Sequence, residues 1–207
     1  LIVASGTGSG EFDWNSTVPI IANATTGYTF TGWTGAGITN PGDANATVLM
    51  TEDRNVTATF QINSYSLIVS ANGEGGDVSD SATHDYGTQA AITATPQTGY
   101  SFIGWSGEGI ADPNASTTTV DMTQDRNVSA SFAIDSHTLL TSAGTGGTVT
   151  GSGTFDWNSS VSISATASVG YQFTGWVGTG INDPGDSNTT VLMTQDRNIS
   201  ATFLINS

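Results

Sequence analysis

The sequence predicts an all-β protein built from three tandem small modules with little or no helix, and three observations carry that prediction. A heptapeptide recurs as Gly27-Tyr28-Thr29-Phe30-Thr31-Gly32-Trp33, Gly99-Tyr100-Ser101-Phe102-Ile103-Gly104-Trp105 and Gly170-Tyr171-Gln172-Phe173-Thr174-Gly175-Trp176. Each copy runs on into x-Gly-x-Gly-Ile and is followed by Met-Thr-x-Asp-Arg-Asn. The spacing is regular: Trp33 to Trp105 is 72 residues and Trp105 to Trp176 is 71, and Arg54, Arg126 and Arg197 repeat those intervals. Helical periodicity is missing, while Ser, Thr, Gly and β-branched residues dominate. Fixed self-similarity of this kind overrides the one or two domains that length alone suggests. The modules are residues 1–64, 65–136 and 137–207. A unit of this size buries only about 60% of its unfolded surface, so neighbours are expected to support one another.

In the middle module, Tyr65-Ser66-Leu67-Ile68-Val69-Ser70 has strand composition. Asn72-Gly73-Glu74-Gly75-Gly76 supplies a turn, because Gly and Asn take positive φ cheaply. Gly76-Asp77-Val78-Ser79 returns as a short strand, and Ala90-Ala91-Ile92-Thr93-Ala94-Thr95 alternates apolar with polar up to Pro96. In the heptapeptide strand, Tyr and Phe two apart share one face, and strict alternation points the Trp to the other. After the loop Ala111-Asp112-Pro113-Asn114, Thr119-Val120-Asp121-Met122-Thr123 forms a strand. Gln124-Asp125-Arg126-Asn127 is a turn, and Val128-Ser129-Ala130-Ser131-Phe132 comes back with its apolar residues on one face.

The third module repeats this from His137. The first is shorter at its start: Leu1 stands 12 residues before Asp13, whereas Leu67 stands 18 before Asp85. Either its first hairpin is trimmed, or its opening strand lies outside the chain. Modules one and three match best, sharing Phe12-Asp13-Trp14-Asn15 with Phe155-Asp156-Trp157-Asn158. Unlike neighbours reduce strand swapping between copies; a two-module higher-order period is the other explanation. The junctions Phe60-Gln61-Ile62-Asn63-Ser64 and Phe132-Ala133-Ile134-Asp135-Ser136 hold no flexible Pro/Gly spacer. They predict closely abutting modules in a stiff, elongated rod.

Charge excludes some partners. Three Arg, no Lys and 18 carboxylates give a net charge of −15. That balance argues against nucleic acid and against anionic membrane surfaces, both of which require basic side chains. It suits solubility in salty water. No Cys is present, so disulfides and thiolate metal sites do not arise. No run of 18 apolar residues suggests a membrane span. The opening at Leu1, inside a strand-like run, reads as a mature or excised portion of something longer.

The Gly-rich first hairpin, the heptapeptide and Met-Thr-x-Asp-x-x-Val-x-Ala-x-Phe together resemble the internalin-type B-repeat family, in its divergent branch found in tandem on large microbial surface and secreted proteins. Tyr86-Gly87 also matches the family's Tyr-Gly. The resemblance covers modules two and three throughout, and module one apart from part of its first hairpin. It implies small β-grasp-like modules, a stalk, spacer or adhesive role, and no catalytic activity. The helix of a β-grasp has no room here, because Pro96-Gln97-Thr98 is too short to hold one.

Candidate chemistry is sparse. His84 and His137 are the only histidines and occupy unrelated module positions, so no Ser-His-Asp arrangement is expected. No carboxylate pair stands out for glycoside chemistry. Asp43, Asp112, Asp183 and Asp186 lie in loops with Asn, Gly and Ser; turn chemistry is one reading and Ca²⁺ binding the alternative. No other cofactor is expected. Asn-x-Ser/Thr occurs at Asn15, Asn23, Asn45, Asn55, Asn114, Asn127, Asn158, Asn188 and Asn198, which are either glycosylation sites or turn and strand residues. Tyr28, Phe30, Trp33, Tyr100, Phe102, Trp105, Tyr171, Phe173 and Trp176 read as core. Trp14, Tyr86 and Trp157 read as core or as platforms for sugar rings. Arg54, Arg126 and Arg197 form local ion pairs or contact a neighbouring module or subunit.

The resulting expectation is a non-enzymatic extracellular structural protein, the stalk of a surface adhesin or the subunit of a surface filament. A carbohydrate-binding surface module and a Ca²⁺-stiffened spacer are the alternatives. Its partners would be neighbouring repeats, identical subunits or surface glycans, with no nucleic acid and no membrane insertion. Strand addition between the ends of successive subunits is one route to a filament.

Overall fold

A computed structural model describes all residues, 1–207. It is all-β, without helix, in three repeated modules. Module one holds β1 (Ile2–Ala4), β2 (Ser16–Ile21), β3 (Tyr28–Thr34), β4 (Ile38–Thr39), β5 (Asn45–Met50) and β6 (Asn55–Ile62). Module two holds β7 (Ser64–Asn72), β8 (Gly76–Val78), β9 (Ala82–Asp85), β10 (Gln89–Pro96), β11 (Tyr100–Gly107), β12 (Thr117–Asp121) and β13 (Arg126–Ile134). Module three holds β14 (Ser136–Ala143), β15 (Gly147–Thr150), β16 (Gly153–Asp156), β17 (Ser159–Ala167), β18 (Tyr171–Val177), β19 (Asn188–Met193) and β20 (Arg197–Ile205).

Each module is two small sheets packed face to face. In module two, one sheet has the order β11-β13-β7-β9 and the other β12-β10-β8. The first and last strands of the module lie side by side and parallel, with Leu67 opposite Arg126 and Val69 opposite Val128. All other pairings in that module are antiparallel. Alternation decides which side chains go inside. β10 buries Ala90, Ile92 and Ala94 and exposes the residues between them. From the facing sheet come Leu67, Val69, Trp105, Val128 and Ala130, and Val120 and Met122 complete the core. Equivalent residues form a separate core in each of the other modules.

The heptapeptide departs from strict alternation. A β-bulge falls between Phe30 and Gly32, and again at Phe102/Gly104 and Phe173/Gly175. One extra residue re-phases the strand, so the Trp joins Phe on the core face instead of pointing to the opposite one. The Phe102 and Trp105 ring centroids are 5.9 Å apart, and Ile103, the inserted residue, is turned out to solvent. All three heptapeptide Trp are buried. The proline loop then holds each one: Trp105 donates its backbone N–H to the Pro113 carbonyl at 2.8 Å and its indole N–H to the Ala115 carbonyl at 3.1 Å. Phe30, Phe102 and Phe173 pack half-buried against these cores. Tyr100 and Tyr171 are half-buried beneath the hairpin glycines Gly75 and Gly146.

Module one lacks that cover. Its first hairpin is trimmed at the tip, and β8 and β15 are reduced there to a single bridge between Thr7 and Ile21. The base of the hairpin is retained. Ser9 Oγ accepts the Val3 N–H at 2.8 Å, as Ser81 does for Val69 and Ser152 for Thr141. With the tip gone, Tyr28 is exposed and flanks, with Phe60, Asn23 and Thr25, a cleft of about 400 Å³.

Candidate functional site

The features with most interaction chemistry lie at the two module junctions, and both are built alike. At the first, Asn63 donates its N–H to the Gly27 carbonyl, and its own carbonyl accepts the Tyr86 N–H, both at 2.8 Å. Thr29 Oγ1 donates to Asn63 Oδ1 at 2.6 Å. The Tyr86 ring lies directly on Gly27, where a Cβ would fall inside it. At the second, Asp135 donates to the Gly99 carbonyl at 2.8 Å and accepts from the Trp157 N–H at 2.7 Å. Ser101 Oγ donates to the Asp135 carboxylate, and the Trp157 ring covers Gly99. Gly27 and Gly99 both have φ +84°, which glycine adopts without the Cβ penalty. The first residue of the heptapeptide is therefore a seat for the neighbouring module's aromatic side chain. Sequence reasoning read this glycine only as part of a strand motif; its partner lies beyond the junction, so no local pattern records the contact.

The Asp-Arg-Asn turns act inside their own modules. Asp125 Oδ1 accepts the Ser66 N–H at 2.8 Å and Asp196 Oδ1 the Thr138 N–H at 2.8 Å, fastening the first strand to the last in modules two and three. Arg126 folds back over Gly109, its Nε donating to the Asp121 carbonyl at 3.2 Å and its Nη2 to Thr123 Oγ1 at 3.1 Å. Arg197 does the same over Gly180, with Leu192, Thr179 and Thr194 as acceptors. Arg54 reaches Thr51 and Glu52. These guanidinium groups, 11–13% exposed where they form ion pairs, are placed within the module and not across a junction. Their close approach accounts for the second Gly of x-Gly-x-Gly-Ile.

The loop carboxylates make turns. Asp112 Oδ1 accepts the Asn114 N–H, Asp183 Oδ1 the Gly185 N–H and Asp186 Oδ1 the Asn188 N–H, each at 2.9 Å. Asp43 contributes its backbone, accepting the Trp33 indole N–H. A side-chain oxygen bonded two residues ahead is the Asx arrangement that stabilises a turn. Asp183→Asn is therefore expected to keep the midpoint of thermal unfolding, since the amide oxygen accepts the same bond. Asp183→Ala is expected to lower stability by about 1 kcal/mol. Equal losses in the two variants, measured by calorimetry with and without chelator, would show that the charge matters and would favour a bound cation.

All nine Asn-x-Ser/Thr asparagines are exposed. Asn15 and Asn158 have φ +65° and +62° at the position where Gly87 has +77°, so their identity has a conformational reason. Asn188 accepts a hydrogen bond from Ser164 Oγ. His84 pairs with Tyr65 across β9 and β7, and His137 Nδ1 lies 3.7 Å from Asp196.

Tandem β-modules joined by aromatic-on-glycine contacts define a repeat-domain protein. The chain belongs to the divergent InlB B-repeat domain family, whose sequence model matches residues 3–64, 65–136 and 137–207. No curated protein matches the chain.

Proposed function

We propose that the chain is a non-enzymatic, extracellular structural segment of a microbial surface protein, serving as the stalk of an adhesin or as the subunit of a surface filament. The observation that carries this reading is the junction, made twice from the same backbone hydrogen bonds and the same ring-on-glycine contact. Such a joint restricts bending far more than a solvated linker does. Membership of a surface-repeat family supports the location. The carbohydrate-binding alternative has less to stand on: Tyr86 and Trp157 lie in junctions, leaving Trp14 as the exposed member of that trio.

Small-angle scattering of the chain should give a radius of gyration well above the ~17 Å of a compact globule of this length. Antibodies raised against it should decorate rods or fibres on native cells in electron micrographs. A compact particle, or label confined to the cell interior, would overturn the reading.

A further inference from the structure

We propose that Asn55, Asn127 and Asn198, the asparagines of the three Asp-Arg-Asn turns, are N-glycosylated, with the first sugar lying on the aliphatic side chain beside each one on the neighbouring strand. This rests on the extracellular reading above, because Asn-x-Ser/Thr acceptors are modified in exported chains.

Nothing in the fold requires asparagine at these positions. Each stands at or next to the start of its module's last strand, where Asn is a disfavoured residue type. None has the left-handed φ that accounts for Asn15 and Asn158. The other turn side chains are engaged: Asp125 holds the Ser66 N–H, and Arg126 the Asp121 carbonyl and Thr123. The Asn127 side chain takes no part in these bonds and is exposed. Yet all three modules carry it, with Ser or Thr two positions on. Residues two apart on a strand share a face, so carboxamide and hydroxyl stand together on the outside of the sheet.

The parallel pairing then places an exposed aliphatic residue beside each asparagine. Asn127 is in register with Ile68 and Asn198 with Leu140, as Asn55 is with Ile2. Ile68 is 53% exposed and Leu140 57%, while Leu67, Val69 and Leu139 next to them are buried. The flanking strands stop short of the pair: β11 reaches only Gly107, opposite Val128, and β9 only Ala82, opposite Leu67. In module three this edge forms a cleft of about 380 Å³ lined by Leu140, Ser142, Asn198, Ile199 and Ser200. A pyranose ring has an apolar face of C–H groups, and a sugar attached at Asn198 lies over Leu140. Covering an exposed aliphatic side chain in this way is favourable.

The transfer joins the carboxamide nitrogen to C1 of a sugar carried as a lipid-linked diphosphate. The C1–O bond to phosphate breaks, the lipid diphosphate leaves with its electron pair, and the nitrogen gives up one proton to the transferase. One glycan per module, always at the same place, is the result.

Mass spectrometry of the protein purified from its source organism tests this. Within the chain trypsin cuts only after Arg54, Arg126 and Arg197, so each candidate is the first residue of a peptide. Electron-transfer fragmentation should place mass steps of hexose or N-acetylhexosamine on Asn55, Asn127 and Asn198. Asn127→Gln, made in the source organism, should erase the modification at that turn alone. The aliphatic seat has its own readout. The native chain should melt a few degrees above the same chain made in a host without N-glycosylation, and Ile68→Ser with Leu140→Ser should cut that difference by about half or more. Unmodified asparagine at all three turns of the native protein, or sugar confined to the other Asn-x-Ser/Thr sites, would overturn the proposal. A melting difference untouched by the serine substitutions would overturn the placement of the sugar on Ile68 and Leu140. Unmodified chains in labelled surface rods would remove the glycans and leave the structural reading in place, whereas label inside the cell would remove both.

Discussion

Replacing Trp105 with alanine should unfold the middle module at temperatures where the other two remain folded. The side chain is 6% exposed, packs on Phe102, and is held through its indole N–H by the Ala115 carbonyl. Truncation removes the largest member of a ten-residue core and leaves that carbonyl without its donor. Large-to-small changes of this kind cost about 3–5 kcal/mol. A single core in a unit of this size supplies no more than about that. Calorimetry should show a separate low-temperature transition, with near-ultraviolet dichroism losing the middle module's signal. Trp14→Ala is the control, and its exposed position predicts a change within about 0.5 kcal/mol. A Trp105→Ala chain with an unshifted midpoint would mean that the bulged strand is not the keystone of its core.

Gly99→Ala should uncouple the second and third modules. Two penalties act at that position. The backbone has φ +84°, which costs a non-glycine residue about 1–2 kcal/mol, and the new methyl would fall inside the Trp157 ring. Gly170→Ala carries the first penalty, at φ +85°, without the second, since nothing lies near its Cβ. Their difference isolates the junction. We expect Gly99→Ala to be the more destabilising by about 1–3 kcal/mol, the range for overpacking. Trp157 emission should also move to longer wavelength as the ring swings into water. Equal losses in the two variants, with unchanged emission, would show that ring and glycine contribute nothing to the joint.

Both experiments separate what neighbouring residues dictate from what distant ones decide. The alternation Ala90, Ile92, Ala94 and the turn at Asn72–Gly76 were legible because strand faces and turn conformations depend on residues a few positions apart. So was the core character of Trp33, Trp105 and Trp176. Their face was not. Alternation assigns Trp the side opposite Phe, and the bulge at Gly32, Gly104 and Gly175 reverses that by opposing two residues to one on the partner strand. The Asp-Arg-Asn turn was legible as a turn and as the only cationic position. That Asp125 fastens Ser66 while Arg126 covers Gly109 follows from β7 lying beside β13, a pairing across some 60 residues that no loop announces.

The amino-acid order alone establishes the module length, the strands, the turns and the apolar face of each strand, because these rest on local backbone preference and on a period of two. It also establishes membership in a repeat family, because the motif recurs at one spacing. Tertiary structure alone decides the parallel pairing of each module's first and last strands, since it joins chain ends that share no turn. It also decides the phase of the heptapeptide, set by a bulge against β6, β13 and β20. And it decides the fate of the aromatic at Trp14, Tyr86 and Trp157. One residue position is a half-buried joint or an exposed ring according to whether a glycine seat from another module reaches it, which is a property of the neighbour and not of the residue.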